Sequence, residues 1–258
     1  MIKFSEEEGF IKAHGIKFRE GQDKNIKLPS VAVGVFSRHL FDDVIEKYSA
    51  LEVGYFSCAM ERNIYIIKYK DIEIVFFMAG VSGPWIAGDI EELYSAGVQK
   101  VIIFGNCGVL DSKIEDCSII IPTKGFRDEG TSYHYVSPSE TIEINPDYKE
   151  DFIKILNEYN FDYTEGYTWT IDAFYRETKD KIKYFKDNGA VCVEMEGTVI
   201  ASVCQRLNMK YFTFYYAGDN LDSTVWDKRS IEGPTNIDKK KEVLLLALEL
   251  AVVLNNYE

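Results

Sequence analysis

Only three histidines, six prolines and five cysteines occur among 258 residues, and each scarcity excludes something. His14, His39 and His134 stand far apart, with no Ser–His–Asp or Cys–His arrangement and no metal-ligand spacing. Neither a nucleophilic triad nor a bound metal is therefore expected. Cys58, Cys107, Cys117, Cys192 and Cys204 are odd in number and form no C-x-x-C pair, so reduced, mostly buried thiols are expected. Long hydrophobic runs are missing too. Val243 to Leu254, the longest, is too short to span a bilayer and carries Glu249. Basic residues are in deficit, 29 against 42 acidic, and the net charge of −13 argues against nucleic acid or an anionic membrane as partner. The opening Met1-Ile2-Lys3-Phe4-Ser5 has no apolar core of a signal peptide, so a cytoplasmic protein with a small-molecule partner is expected.

What is present is a core. Apolar residues make up 46 %, and the length suits one domain over residues 1–258. β-Branched runs predict strands over Val31–Phe36, Ile64–Tyr69, Ile72–Met78, Val101–Gly105, Ser118–Pro122 and Tyr211–Ala217. Helical periodicity predicts Ser37–Tyr48, Ile86–Ala96, Asp147–Asn157, Lys179–Lys186, Glu194–Leu207 and Lys239–Asn255. Runs such as Val101–Phe104 and Phe212–Tyr216 look buried on both faces, as strands covered by helices on two sides are. The expected fold is a three-layer α/β/α sandwich around a twisted, mostly parallel or mixed sheet. Ligands gather at the carboxyl ends of strands in such sheets, which directs attention to three exits: Gly34–Arg38, Gly105–Gly108 and Ala217–Asn220.

Gly34 and Arg38 flank a strand-to-helix turn where a glycine, free N–H groups and a guanidinium could hold an oxyanion, although an ordinary turn fits as well. Ala79 to Pro84 and Gly105-Asn106-Cys107-Gly108 have the same double reading. Asp219 ends an apolar strand; it is either a carboxyl with a raised pKa that donates a proton, or the cap of the next helix. Phe174 could stack on a planar ligand or fill the core. In Val193-Glu194-Met195-Glu196-Gly197, two carboxylates flank a thioether where a helix is expected to begin. They would accept hydrogen bonds from vicinal hydroxyls, or simply charge a first helical turn.

Together these stretches resemble the nucleoside phosphorylase superfamily, of the hexameric purine nucleoside phosphorylase and uridine phosphorylase type. The resemblance runs from about His14 to the C-terminal helix. It implies a pentosyltransferase in which Glu196 holds the ribose hydroxyls, Met195 packs the sugar, Phe174 stacks on the base and Asp219 protonates or hydrogen-bonds the purine N7. It further implies Gly34, Arg38, Asn106 and a subunit-crossing Arg62 for phosphate, with His14 reaching a neighbour's ribose. The implied reaction is phosphorolysis of purine (deoxy)ribonucleosides, with inorganic phosphate as co-substrate and no cofactor. A homo-oligomer follows, with a dimer as the minimum unit that is active and a hexamer as one size. Uridine phosphorylase is the lesser alternative, because Arg176-Glu177-Thr178-Lys179-Asp180 lacks the Gln-x-Arg that reads pyrimidines. A nucleosidase is another, since Ile103 stands where phosphorylases carry an arginine. A non-catalytic nucleoside-binding or storage protein is the alternative of a different class. The segment Arg127 to Tyr135 also resembles one branch of the superfamily; it has no assigned role and is expected to be a solvated loop.

Overall fold

Runs of β-branched and aromatic residues that bury both faces order one mixed sheet of ten strands, flanked by six helices. The structure, a computed structural model, describes residues 2–231 and 233–257; Met1, Glu232 and Glu258, part of the span expected as one domain, lie outside the described residues. In chain order the elements are β1 (Val31–Val35), α1 (Arg38–Lys47), β2 (Leu51–Phe56), β3 (Arg62–Tyr69), β4 (Ile72–Met78), α2 (Gly83–Ser95), β5 (Lys100–Val109), β6 (Ile119–Asp128) and β7 (Thr141–Glu143). There follow α3 (Lys149–Glu158), β8 (Tyr163–Ile171), α4 (Lys179–Asp187), β9 (Ala190–Glu194), α5 (Gly197–Leu207), β10 (Lys210–Asn220) and α6 (Ile237–Asn255).

Helices α1, α3 and α6 cover one face through Leu40, Phe152 and Leu248, while α2 and α5 cover the other through Ile90 and Val203. Phe152 and Phe214 meet at 4.5 Å between ring centroids, and Phe104 stacks on Phe214 at 5.2 Å. Burial of each such ring contributes about 1.5–3 kcal/mol. Helix α4 lays Phe185 on Trp169 of β8 at 4.4 Å.

The sheet is only partly open. Strand β10 pairs with both β5 and β6, and β9 with both β5 and β8, so β5, β10, β6, β8 and β9 close on one another. That closure sets the end of β9 against Gly108 and Val109 of β5, and β5 against β10 along its whole length. Between Ala217 and Asp219 the pairing passes over Gly218, so that Asp219 stands opposite Gly108.

Four strands lie where none is expected: β2, β7, β8 and β9. The helix expected from Glu194 begins instead at Gly197, because Glu194 closes β9. Gly34 lies inside β1, within the strand expected over Val31–Phe36, and a Cβ there would stand 2.4 Å from the Phe77 ring. Its glycine serves strand packing. All five cysteines are free, Cys58 exposed and the rest buried. Among the described residues no helix is long and apolar enough to cross a membrane.

Candidate active site

Glu194 and Glu196 have opposite tasks despite their spacing. The Glu194 carboxylate accepts the hydroxyls of Thr168 (3.0 Å) and Thr170 (2.6 Å) on the neighbouring strand, and the N–H groups of Glu196 (2.6 Å) and Gly197 (2.5 Å). It therefore satisfies free donors at the start of α5. Burial pushes its pKa up, and the Thr170 hydroxyl and the two N–H groups pull against that. Gly197 is confined by this arrangement: an added Cβ would lie 2.4 Å from Tyr215 Oη.

Glu196 faces a cavity of about 130 Å³. Its carboxylate accepts the Ser82 N–H at 2.6 Å, and burial beside Glu194 pushes its pKa up to about 8. Ser82 holds φ at +103°, a conformation that costs a non-glycine residue about 1–3 kcal/mol and is found where the surroundings enforce it. The strain turns the backbone N–H of the β4–α2 joint toward the carboxylate.

Asn106, Phe174, Met195 and Asp219 line the same cavity. Phe174 stands in a 3₁₀ turn that runs to Arg176, with its ring partly exposed. Asp219 is buried and accepts the Trp226 indole N–H at 2.6 Å. Burial pushes its pKa up, while that N–H and the charge of Arg229 pull it down. A second cavity of about 240 Å³, lined by Lys179 and Trp226, adjoins the first through Phe174, Glu177 and Asp219. Glu177 has no role of its own in the sequence; burial and the nearby Asp219 push its pKa up to about 7. Tyr215 was missed as well: it lines the first cavity, yet its buried hydroxyl has no hydrogen-bond partner among the described residues.

Four residues expected at the site do not line this cavity in the single chain, Gly34 within β1 being the first. Arg38 is exposed on α1, where it pairs with Asp42 at 2.9 Å, and Phe36 from the same turn lines the cavity instead. His14 lines a separate, larger cavity of about 860 Å³ that shares no residue with the first. Arg62 is committed to the buried Asp89 through both terminal nitrogens. It also donates to the Met78 carbonyl and sits 4.7 Å from the Trp85 ring. Removing one partner of a buried pair leaves an uncompensated charge. Arg62→Met is therefore expected to cost about 3–5 kcal/mol of stability, read as a lower urea midpoint. A variant as stable as the parent but inactive would return Arg62 to the chemistry.

The segment Arg127 to Tyr135 is not a solvated loop. Arg127, Glu129 and Ser132 are buried. Arg127 Nε donates to Ser132 Oγ at 2.8 Å, and its guanidinium lies 4.0 Å from the Tyr133 ring. Glu129 accepts the Thr198 hydroxyl at 3.1 Å, which braces the first turn of α5 just beyond Glu196. Nothing in composition or periodicity signals this, because its partners come from a helix about seventy residues away.

The profile of the phosphorylase superfamily matches residues 30–252. Among curated proteins, the chain is 23 % identical over 150 residues to guanosine phosphorylase of Halorubrum lacusprofundi, covering 58 % of this chain and 62 % of that protein. The chain thus spans under two thirds of that relative's length. It is 27 % identical over 185 residues to 5'-methylthioadenosine/S-adenosylhomocysteine nucleosidase of Buchnera aphidicola, covering 66 % of this chain and 78 % of that one. Among solved structures, purine nucleoside phosphorylase from Toxoplasma gondii in complex with immucillin-H shares the fold. Its TM-score is 0.76 and its identity 17 %, with 96 % of this chain and 98 % of that chain covered.

Proposed function

The chain belongs to the phosphorylase superfamily, and from that premise we propose that it cleaves the N-glycosidic bond of purine nucleosides by phosphorolysis, releasing free base and a pentose 1-phosphate. The observation that carries the reading is that Phe174, Glu196 and Asp219, from separate stretches of chain, line one cavity. In this reading Phe174 stacks on the base, and the ionised Glu196 accepts hydrogen bonds from the ribose hydroxyls with Met195 against the sugar. As the bond from C1′ to the base nitrogen breaks, its electron pair moves to the base. The protonated Asp219 delivers a proton to N7, and a phosphate oxygen bonds to C1′.

The attacking group is the point on which two readings divide. Among the described residues no lysine or arginine lines the first cavity, and Ile103 is fully buried in β5. The nearest reading with water as nucleophile takes its support from these two facts. Phosphate is favoured because Arg38 follows directly on the cavity-lining Phe36, and its exposed pair with Asp42 contributes at most about 1 kcal/mol. That guanidinium is free to turn toward an anion.

Base release from inosine, guanosine and adenosine, measured with and without phosphate, tests the reading. Turnover is expected to require phosphate, and Arg38→Met is expected to raise the phosphate KM about tenfold, the effect of one charge-assisted hydrogen bond. Equal turnover without phosphate would make the protein a nucleosidase.

A further inference from the structure

Resting on that reading, we propose that Glu177 reads the base, and that it selects purines carrying an N1–H, guanine first. Glu177 lines both cavities where they meet, together with Phe174 and Asp219. It is half-buried, and its carboxyl group has no hydrogen-bond partner among the described residues. A carboxyl in a partly dry wall without a donor is costly, and a ligand that supplies donors relieves that cost. Within the same wall, Asp219 is already engaged by Trp226 and takes the imidazole side of the base in the proposed reaction. Glu177 follows Phe174 by three residues, across the turn that presents the stacking ring. Its carboxyl group is thereby left for the six-membered ring.

The chemistry of that edge separates the purines. Guanine offers N1–H and an exocyclic N–H side by side, which match the two oxygens of a carboxylate, and hypoxanthine offers N1–H alone. Adenine presents a lone pair at N1, which an ionised carboxylate repels. Hydrogen bonds from N1–H also favour the ionised form of the carboxyl group. The ranking expected is guanosine, then inosine, then adenosine.

The test compares kcat/KM for guanosine and adenosine in the parent and in Glu177→Gln, at pH 8 and saturating phosphate. The ratio of guanosine to adenosine is expected to fall about 10–100-fold in the variant, the discrimination carried by one bidentate contact. Guanosine turnover drops, and adenosine turnover rises several-fold because the amide N–H can donate to the N1 lone pair of adenine. Measurable adenosine turnover in the same variant shows that it folds. An unchanged ratio, whether both rates fall together or neither moves, overturns the proposal. Calorimetric binding of free guanine and free adenine to both proteins separates the two readings. Loss of guanine preference in the variant supports Glu177 even if no nucleoside is cleaved, and no guanine preference in the parent overturns it.

Discussion

Asp219→Asn is expected to slow base release by about 10²–10⁴-fold, the usual contribution of a positioned general acid. Asparagine keeps an oxygen that can accept the Trp226 indole N–H, so the loop that carries the indole stays anchored and nucleoside binding is preserved. The variant removes only the proton. Rapid-quench measurement of base release, paired with equilibrium binding of the same nucleoside, separates these effects. Turnover equal to the parent's would end the acid role. The pH profile provides an independent check. Burial holds the Asp219 carboxyl above the usual carboxylate range, so activity falls on the alkaline side as that proton is lost. The fall should vanish in the variant, at a lower rate throughout.

Glu196→Gln is expected to weaken ribosides about 10–100-fold while leaving free bases almost untouched, because a carboxylate accepting two hydroxyls is replaced by one amide oxygen. Equal weakening of both ligand classes would remove Glu196 from the sugar. Its pH dependence has two opposite signs. The folded protein holds the Glu196 proton up to about pH 8, whereas an ordinary glutamate releases it near 4.5. Riboside affinity therefore rises as pH climbs through about 8 and the carboxylate forms. Folding stability moves the other way: the folded state binds a proton the unfolded chain does not, and this contribution is lost progressively from about pH 4.5 through about 8. Thermal melts of the parent should drop across that window by more than those of Glu196→Gln.

What the chain revealed in one dimension follows a physical divide. β1, β5 and β10 were legible because they are buried on both faces, and such strands read as unbroken β-branched and aromatic runs. β8 was hidden by its exposed, polar first half, Tyr163 to Tyr167, and only its last four residues are buried. β9 was hidden by its brevity and by Glu194, which local pattern assigns to the helix that follows. A buried carboxylate at a strand end is tolerable only because Thr168 and Thr170 come alongside, and that pairing is made in space.

The candidate site divides in the same way. Side chains whose chemistry belongs to a strand exit, such as Asp219 and Asn106, could be picked from the sequence. Cations could not, because their partners decide their task. Arg38 has a local acid four residues on, and Arg62 a buried one twenty-seven residues on. Glu177 stands out in the sequence only within the stretch Arg176 to Asp180, which is read for the Gln-x-Arg it lacks. Its neighbours are polar, and its burial arises only when the turn after β8 folds against the end of β10.

One irregularity links these themes. Upstream of Gly218, β10 answers to the core; downstream, Asp219 answers to the cavity. Skipping a single residue in the pairing uncouples the two demands. The hydrophobic half of the strand is free to drift over evolutionary time, or to be redesigned, without turning the acid. Deleting Gly218 would do the reverse. It would put Asp219 directly after Ala217, and regular pairing would tie the direction of the carboxyl group to that of the core.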